Sequence, residues 1–121
     1  MKTVAIRGAI SVSENNEKAI ETATIELFNE VLKNNNITPN DIAYMTFSAT
    51  KDITKAYPAK FIRTVLGISH IPMMCYQEMD VENSLEMCIR VLIVINTINT
   101  DFSATHVYLK NAQNLRPDLK K

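Results

Sequence analysis

The sequence predicts an α+β domain in which a mixed β-sheet packs on one long helix and a short one. Three observations lead there. Residues 3 to 10 alternate at strand period, with Val4, Ile6 and Ile10 on one side and Thr3, Ala5, Arg7 and Ala9 on the other. Ile20, Ala23, Leu27 and Val31 recur at helical spacing as one apolar stripe. Ile89, Val91, Ile93, Val94 and Ile95 crowd β-branched residues into a run apolar on both faces, the pattern of a central strand. The 121 residues suit a single domain spanning 1–121. Such a chain buries roughly two-thirds of its unfolded surface and needs neither disulfide nor metal to fold.

The elements follow in order. After the first strand, Ser13 opens the long helix, with Asn15 and Asn16 as competing caps. Phe28 and Leu32 flank the stripe, and Glu17, Lys18, Glu21, Glu26, Glu30 and Lys33 make the solvated face. Asn34-Asn35-Asn36 ends the helix, because Asn tolerates the left-handed cap. Thr38-Pro39-Asn40-Asp41 is a capped turn into a strand from Ile42 to Ala49, followed by a loop at 48–52. Pro58 and Gly67 frame a short helix, Pro58 to Leu66, with Tyr57 at its entrance and Lys60 and Arg63 on one face. Ile71 to Gln77 is the next strand, Asp80 to Ser84 a turn, residues 86 to 96 the central strand, and His106 to Lys110 the last strand. Residues from about 113 to 121 are expected to be a mobile tail. One long helix covers only one face of such a sheet, and self-association is the simplest cover for the other.

Composition removes several function classes. Lys plus Arg equals Asp plus Glu at 13 each, which argues against a general nucleic-acid binder. Arg7 interrupts the first apolar stretch, so no secretory signal is expected. No apolar run approaches the ~20 residues of a membrane helix. Cys75 and Cys88 follow no metal or redox spacing and read as reduced thiols of a cytoplasmic protein. Two glycines, Gly8 and Gly67, cannot build a glycine-rich phosphate loop. No metal or other cofactor is expected.

The chemistry centres on residues 75 to 90. Arg90 sits between Cys88-Ile89 and Val91-Leu92-Ile93, where a guanidinium requires an anionic partner. Glu78 lies in a similarly apolar setting. A structural Glu78–Arg90 ion pair and joint binding of a polar ligand are both open, and compatible. Arg7 is mid-strand among small neighbours, facing either a ligand or, on an edge strand, water. Lys60 and Arg63 read first as solvated charges. His70 and His106 have no sequence neighbour that would orient them for catalysis. Cations in apolar settings, one carboxylate, a thiol and a phenol suit a small dianion bearing a hydroxyl.

These residues stand in stretches that resemble the monofunctional, trimeric α+β class of chorismate mutases, unrelated in fold to the all-helical class. The matching stretches are Ile6-Arg7-Gly8-Ala9, Ser48-Ala49-Thr50, Pro58-Ala59-Lys60, Cys75-Tyr76-Gln77-Glu78-Met79-Asp80-Val81, Cys88-Ile89-Arg90-Val91, His106-Val107-Tyr108-Leu109 and Leu115-Arg116-Pro117-Asp118-Leu119. They run end to end in family order.

The resemblance implies a homotrimeric pseudo-α/β barrel with active sites between subunits. It implies the rearrangement of chorismate to prephenate in aromatic amino-acid biosynthesis, on the shikimate route, without nucleic-acid or membrane partners. Arg90 and Glu78 would be the catalytic groups, Arg90 facing the ether oxygen and a carboxylate. Arg7 and Tyr108 would hold a carboxylate, and Glu78 and Cys75 would contact the ring hydroxyl. Tyr57, Ala59, Lys60 and Arg63 would come from a neighbouring subunit. Met73, Met74 and Leu115 would give apolar wall, and Arg116 would close from the tail. Two positions depart from the family pattern: Tyr57 replaces a usual Phe, and Glu82-Asn83-Ser84 replaces a turn that often holds Gly. Asn83 still permits a left-handed turn. The competing readings are a similarly folded trimeric enamine/imine deaminase, a non-enzymatic small-anion-binding trimer, and a packed domain with no site.

Overall fold

The structure, a computed structural model, describes residues 1–115. Five strands and two helices follow one another as β1 (Lys2–Ser11), α1 (Glu17–Asn35), β2 (Ile42–Ala49), α2 (Pro58–Thr64), β3 (Met73–Gln77), β4 (Cys88–Thr97) and β5 (Val107–Leu109). Short 3₁₀ helices at Pro39–Asp41 and Lys110–Asn114 complete the order. The sheet order is β3-β2-β4-β1-β5. β4 pairs antiparallel with β1 and β2, while β3 runs parallel to β2 and β5 parallel to β1. The sheet is mixed, and the two-sided run is its central strand, as the sequence indicates.

Asn16 rather than Ser13 caps α1: its side chain accepts a 2.8 Å hydrogen bond from Ala19 N, and Glu17 follows in the first turn. Asn36 takes the left-handed cap at φ 51°, and Ile37 N donates back to Leu32 O. Asn35 has a different role. It is buried, donates to Val31 O and Thr105 O, and accepts from Thr105 N. It thereby ties the helix end to the segment that leads into β5.

Ile20, Ala23, Leu27, Phe28 and Val31 of α1 are buried in one core with Ile6, Ile10, Phe47, Ile89, Val91, Ile93 and Ile95 of the sheet. Each large side chain so buried contributes about 2 kcal/mol. Gly8 lies under the helix. A Cβ there would sit 3.1 Å from both Leu27 Cδ1 and Val31 Cγ2, so its absence lets α1 approach β1 closely. Phe61 and Ile62 of α2 join the same core, so both helices lie on one face.

Thr24 is an internal cost. It is fully buried in α1, and its Oγ1 has no hydrogen-bond partner among the described residues. Thr24→Val keeps the shape and removes the unsatisfied hydroxyl, which should add about 1 kcal/mol of stability. In a domain of this size that raises Tm by about 4 °C. A calorimetric Tm at or below wild type would refute the assignment.

The opposite face carries no α-helix among the described residues. Tyr44, Met74 and Tyr76 are exposed there, beside half-buried Leu92. At one end only, the 110–114 helix covers a small cluster of Ala9, Cys88 and Ala112, with Leu85, Tyr108 and Leu115 packed around it.

Several boundaries differ from the sequence reading. Lys110 does not extend β5; it turns the chain at φ 54° into the 3₁₀ helix. Fully buried Ala112 lies in that helix, which runs to Asn114 with Leu115 as its C-cap; the rest of the expected tail, 116–121, lies outside the described residues. β3 begins at Met73, after Pro72, whose carbonyl accepts from Met45 N. α2 proper ends at Thr64, two residues early, although Leu66 N still bonds Phe61 O and Gly67 takes the expected left-handed turn at φ 69°. No described helix is long and apolar enough to cross a membrane.

Candidate active site

Strand register builds the site. Arg90 on β4 stands opposite Ser48 on β2 and Ala9 on β1; Tyr76 stands beyond Ser48, and Tyr108 beyond Ala9. One row across the helix-free face therefore reads Tyr76, Ser48, Arg90, Ala9, Tyr108. The small residues on either side leave the guanidinium room. The next row holds Met74, Thr46, Leu92 and Arg7, which sets Arg7 diagonally across from Arg90. Arg7, Arg90, Tyr108 and Leu115 line one cavity of about 520 Å³.

The Glu78–Arg90 pair exists. Arg90 Nε donates to the Glu78 carboxylate at 2.8 Å, and Ser48 Oγ donates to the same carboxylate at 3.0 Å. The Glu78 side chain is 15% exposed and that of Arg90 38%, so water competes only in part. Glu78 is itself placed by its N–H, which donates to Ala49 O at the end of β2. With Nε committed to Glu78, the terminal Nη groups of Arg90 make no hydrogen bond among the described residues. The ion pair therefore leaves room for a ligand beside it in the same geometry.

Arg7 is not on an edge strand, since β4 flanks β1 on one side and β5 on the other. Where the β5 ladder stops, His106 Nδ1 accepts the Arg7 N–H at 3.0 Å in place of a strand carbonyl. The side chain of Arg7 is exposed in the single chain, and β1 directs it into the cavity wall.

The remaining sequence-predicted residues lie elsewhere. Tyr57, Lys60 and Cys75 line a second cavity of about 490 Å³ that adjoins the first along Ser48 and Tyr76. Tyr57 is the N-cap residue of α2 and is 73% exposed. Lys60 Nζ lies 2.9 Å from Glu17 Oε1, near the surface. Ala59 is buried, Arg63 exposed on the last turn of α2, Met73 half-buried against the core and Met74 exposed on the open face. Arg116 lies outside the described residues. Within one chain, therefore, Arg7, Arg90, Tyr108 and Leu115 come together, whereas the α2 group faces a different opening.

Cys75 pairs with Phe47, so its side chain points to the helix face, away from Arg90. Burial raises its thiol above the ordinary value, against smaller lowering by an Ala59 backbone hydrogen bond and by Arg63. Cys88 is pushed up to about 11, mainly by burial, with Arg90 opposing. Both thiols are neutral near pH 7 and serve as apolar filling. Among the described residues no cluster of three His, Cys, Asp or Glu side chains could hold a metal ion.

Ser48 and Tyr76 escaped the sequence reading. Period-two alternation put each on a strand face, but only the register sets Ser48 beside Arg90 and within reach of Glu78.

The half-buried guanidinium, its bound carboxylate, a second arginine and a phenol around one small cavity fit a compact anionic ligand carrying a hydroxyl. Comparison with known proteins agrees. The family model for chorismate mutase type I matches residues 3–119. The chain is 39% identical over 114 residues to the chorismate mutase AroH of Bacillus subtilis strain 168, covering 94% of this chain and 90% of that one. It is 40% identical over 116 residues to the AroH of Thermus thermophilus, covering 95% and 94%. A chorismate mutase structure from Clostridium thermocellum superposes with a TM-score of 0.87 at 39% identity, covering 92% of this chain and 98% of that one. The chain belongs to the chorismate mutase type I family.

Proposed function

We propose that this protein converts chorismate to prephenate in aromatic amino-acid biosynthesis, by binding and placed charge alone. The observation that carries the reading is Arg90, held through Nε by Glu78 and lining a cavity of about 520 Å³. The rearrangement is intramolecular and pericyclic. As the C–O bond breaks ahead of C–C bond formation, negative charge grows on the ether oxygen. A fixed cation there stabilises the transition state more than the ground state. Arg7, one row away, and Tyr108, in the row of Arg90, would hold a carboxylate, which favours the folded conformer. Contact with the ring hydroxyl falls to Glu78 and to the backbone of Cys75. Backbone groups of residues 72 and 78 bond to β2, so the alternating groups of Cys75 face the free edge of β3. Nothing in the cleft favours the deaminase or the non-enzymatic anion binder.

The test is the loss of chorismate absorbance on adding purified protein. Acceleration by the wild type and its collapse in Arg90→Ala are expected; an inactive wild type would overturn the reading.

A homotrimer with sites between subunits belongs to the same proposal. Exposed Tyr44, Met74 and Tyr76 support it, since they need cover, and in such a trimer the opening lined by Tyr57 and Lys60 would complete a neighbour's Arg90 cleft. Light scattering should return three times the chain's 13.7 kDa, and a monomer at micromolar concentration would sink the shared-site arrangement. A cytoplasmic setting is part of the reading as well; two free thiols fit a reducing compartment.

A further inference from the structure

Glu78 and Arg90 approach each other across a loop, residues 78–87, that has no regular secondary structure. Both ends of this loop are fastened to one short segment, residues 49–52. At the entry, Glu78 N donates to Ala49 O at 2.9 Å. At the exit, Met87 N donates to both carboxylate oxygens of Asp52, at 3.0 and 3.2 Å. Thr50 Oγ1 donates to Asp52 Oδ1 and accepts from Cys88 N at 3.0 Å, and Thr50 N donates to Cys88 O at 3.0 Å. Met87 is also in the left-handed region, at φ 49°, where a residue with a side chain sits only when its surroundings hold it. The hydrogen bonds that hold it come from Asp52 and, through Met87 O, from Val12 N at 2.7 Å. Asp52 itself is half-buried and is not among the residues lining the Arg90 cavity.

We propose that Asp52 is a positioning residue for Arg90. Its carboxylate fixes the left-handed turn at Met87 and, through Thr50, the N–H of Cys88. Those bonds set where β4 begins. Arg90 lies two residues beyond Cys88, the first residue of β4, so the clamp sets its height against Glu78 and Ser48. Lys51 adds an exposed bridge to Asp80 at 2.9 Å, which contributes little. An uncharged acceptor cannot replace Asp52 fully. Asn keeps one accepting oxygen where Asp52 uses two, so its amide donor must face either the Met87 N–H or the Thr50 hydroxyl that now donates to Asp52. The inference rests on the proposed mutase reading for its kinetic test, and on geometry alone for its structural test.

The experiment compares wild type, Asp52→Ala and Asp52→Asn in kcat, KM and Tm. A misplacement of about 1 Å can cost ~10²-fold, so Asp52→Ala should lose on the order of 10- to 100-fold in kcat, with KM moved far less. Asp52→Asn should recover part of that loss. In an Arg90→Ala background the same substitution should cost almost nothing, because the group it positions is gone. An unchanged kcat, or an equal loss in both backgrounds, would overturn the proposal; equal loss marks a general structural role. If Asp52→Ala does not fold, Asp52→Asn carries the cycle. If wild type itself leaves chorismate untouched, the mutase reading has failed instead. The clamp is then tested by the NMR signal of the Arg90 side-chain Nε–H, assigned by its loss in Arg90→Lys. That signal should shift in Asp52→Asn at unchanged fold, and a signal that stays put would refute the clamp.

Discussion

Arg90→Ala is expected to abolish most of the activity. Removing one preorganised donor from a developing oxyanion typically costs ~3–4 kcal/mol, or roughly 10²–10³-fold in rate. Alanine removes the charge and the donors together, so it should lose at least that. Folding should survive, because the helix-face core of Ile89, Val91 and Ile93 is untouched. Arg90→Lys keeps the charge but cannot donate to Glu78 and to a ligand in one plane, so it should fall between wild type and alanine. Citrulline separates the contributions further. It retains an Nε–H for the 2.8 Å bond to Glu78 and therefore the pose, but carries no charge. If placed charge is the mechanism, citrulline at 90 is far slower in kcat even where substrate binding survives. A citrulline variant with near-normal kcat would show that conformer selection carries the reaction.

Glu78→Ala should produce the next largest loss. The carboxylate fixes the Nε edge of Arg90 and is in turn held by Ser48 Oγ at 3.0 Å and by the bond from its own N–H to Ala49 O. Without it, the guanidinium is free to rotate in a cavity wide enough to permit rotation. A displaced charge of this kind costs on the order of 10²-fold in kcat. The rival reading, a purely structural ion pair, makes a different forecast: its loss would lower Tm and leave kcat near normal. Glu78→Gln keeps an acceptor oxygen for Arg90 Nε and turns its amide toward Ser48, so it should retain more activity than alanine. Steady-state kinetics of the two variants beside their melting temperatures decides the matter. Near-normal kcat in Glu78→Ala would remove Glu78 from the mechanism.

Much of this was legible before any coordinates. Local conformation follows from local rules. Asn36 and Asn83 sit at positive φ because Asn tolerates it, and Pro58 and Gly67 bracket α2 for similar backbone reasons. The two-sided apolar run from Ile89 to Ile95 announced a central strand because only burial on both faces makes such a pattern stable. Arg90 announced itself by its charge within that run. The family stretches named the chemistry as well, since they join those local signals in a characteristic order.

Other features depended on the tertiary structure. Nothing local says that β1 lies between β4 and β5, yet that order brings Arg7, Arg90 and Tyr108 around one cavity. Nor does alternation say which face Cys75 takes relative to Arg90; the register with Phe47 turns its thiol away. Asn35 reads as one of three capping asparagines and becomes a buried clamp only because Thr105 arrives beside it. The left-handed turn at Met87 has no local signal, since it is held by Asp52 and Val12 from distant segments. The physical reason is common to all four. Periodicity and capping encode the free energy of a segment against water, whereas strand order, register and side-chain clamps are set by which segments meet, and that is decided by packing of the whole core.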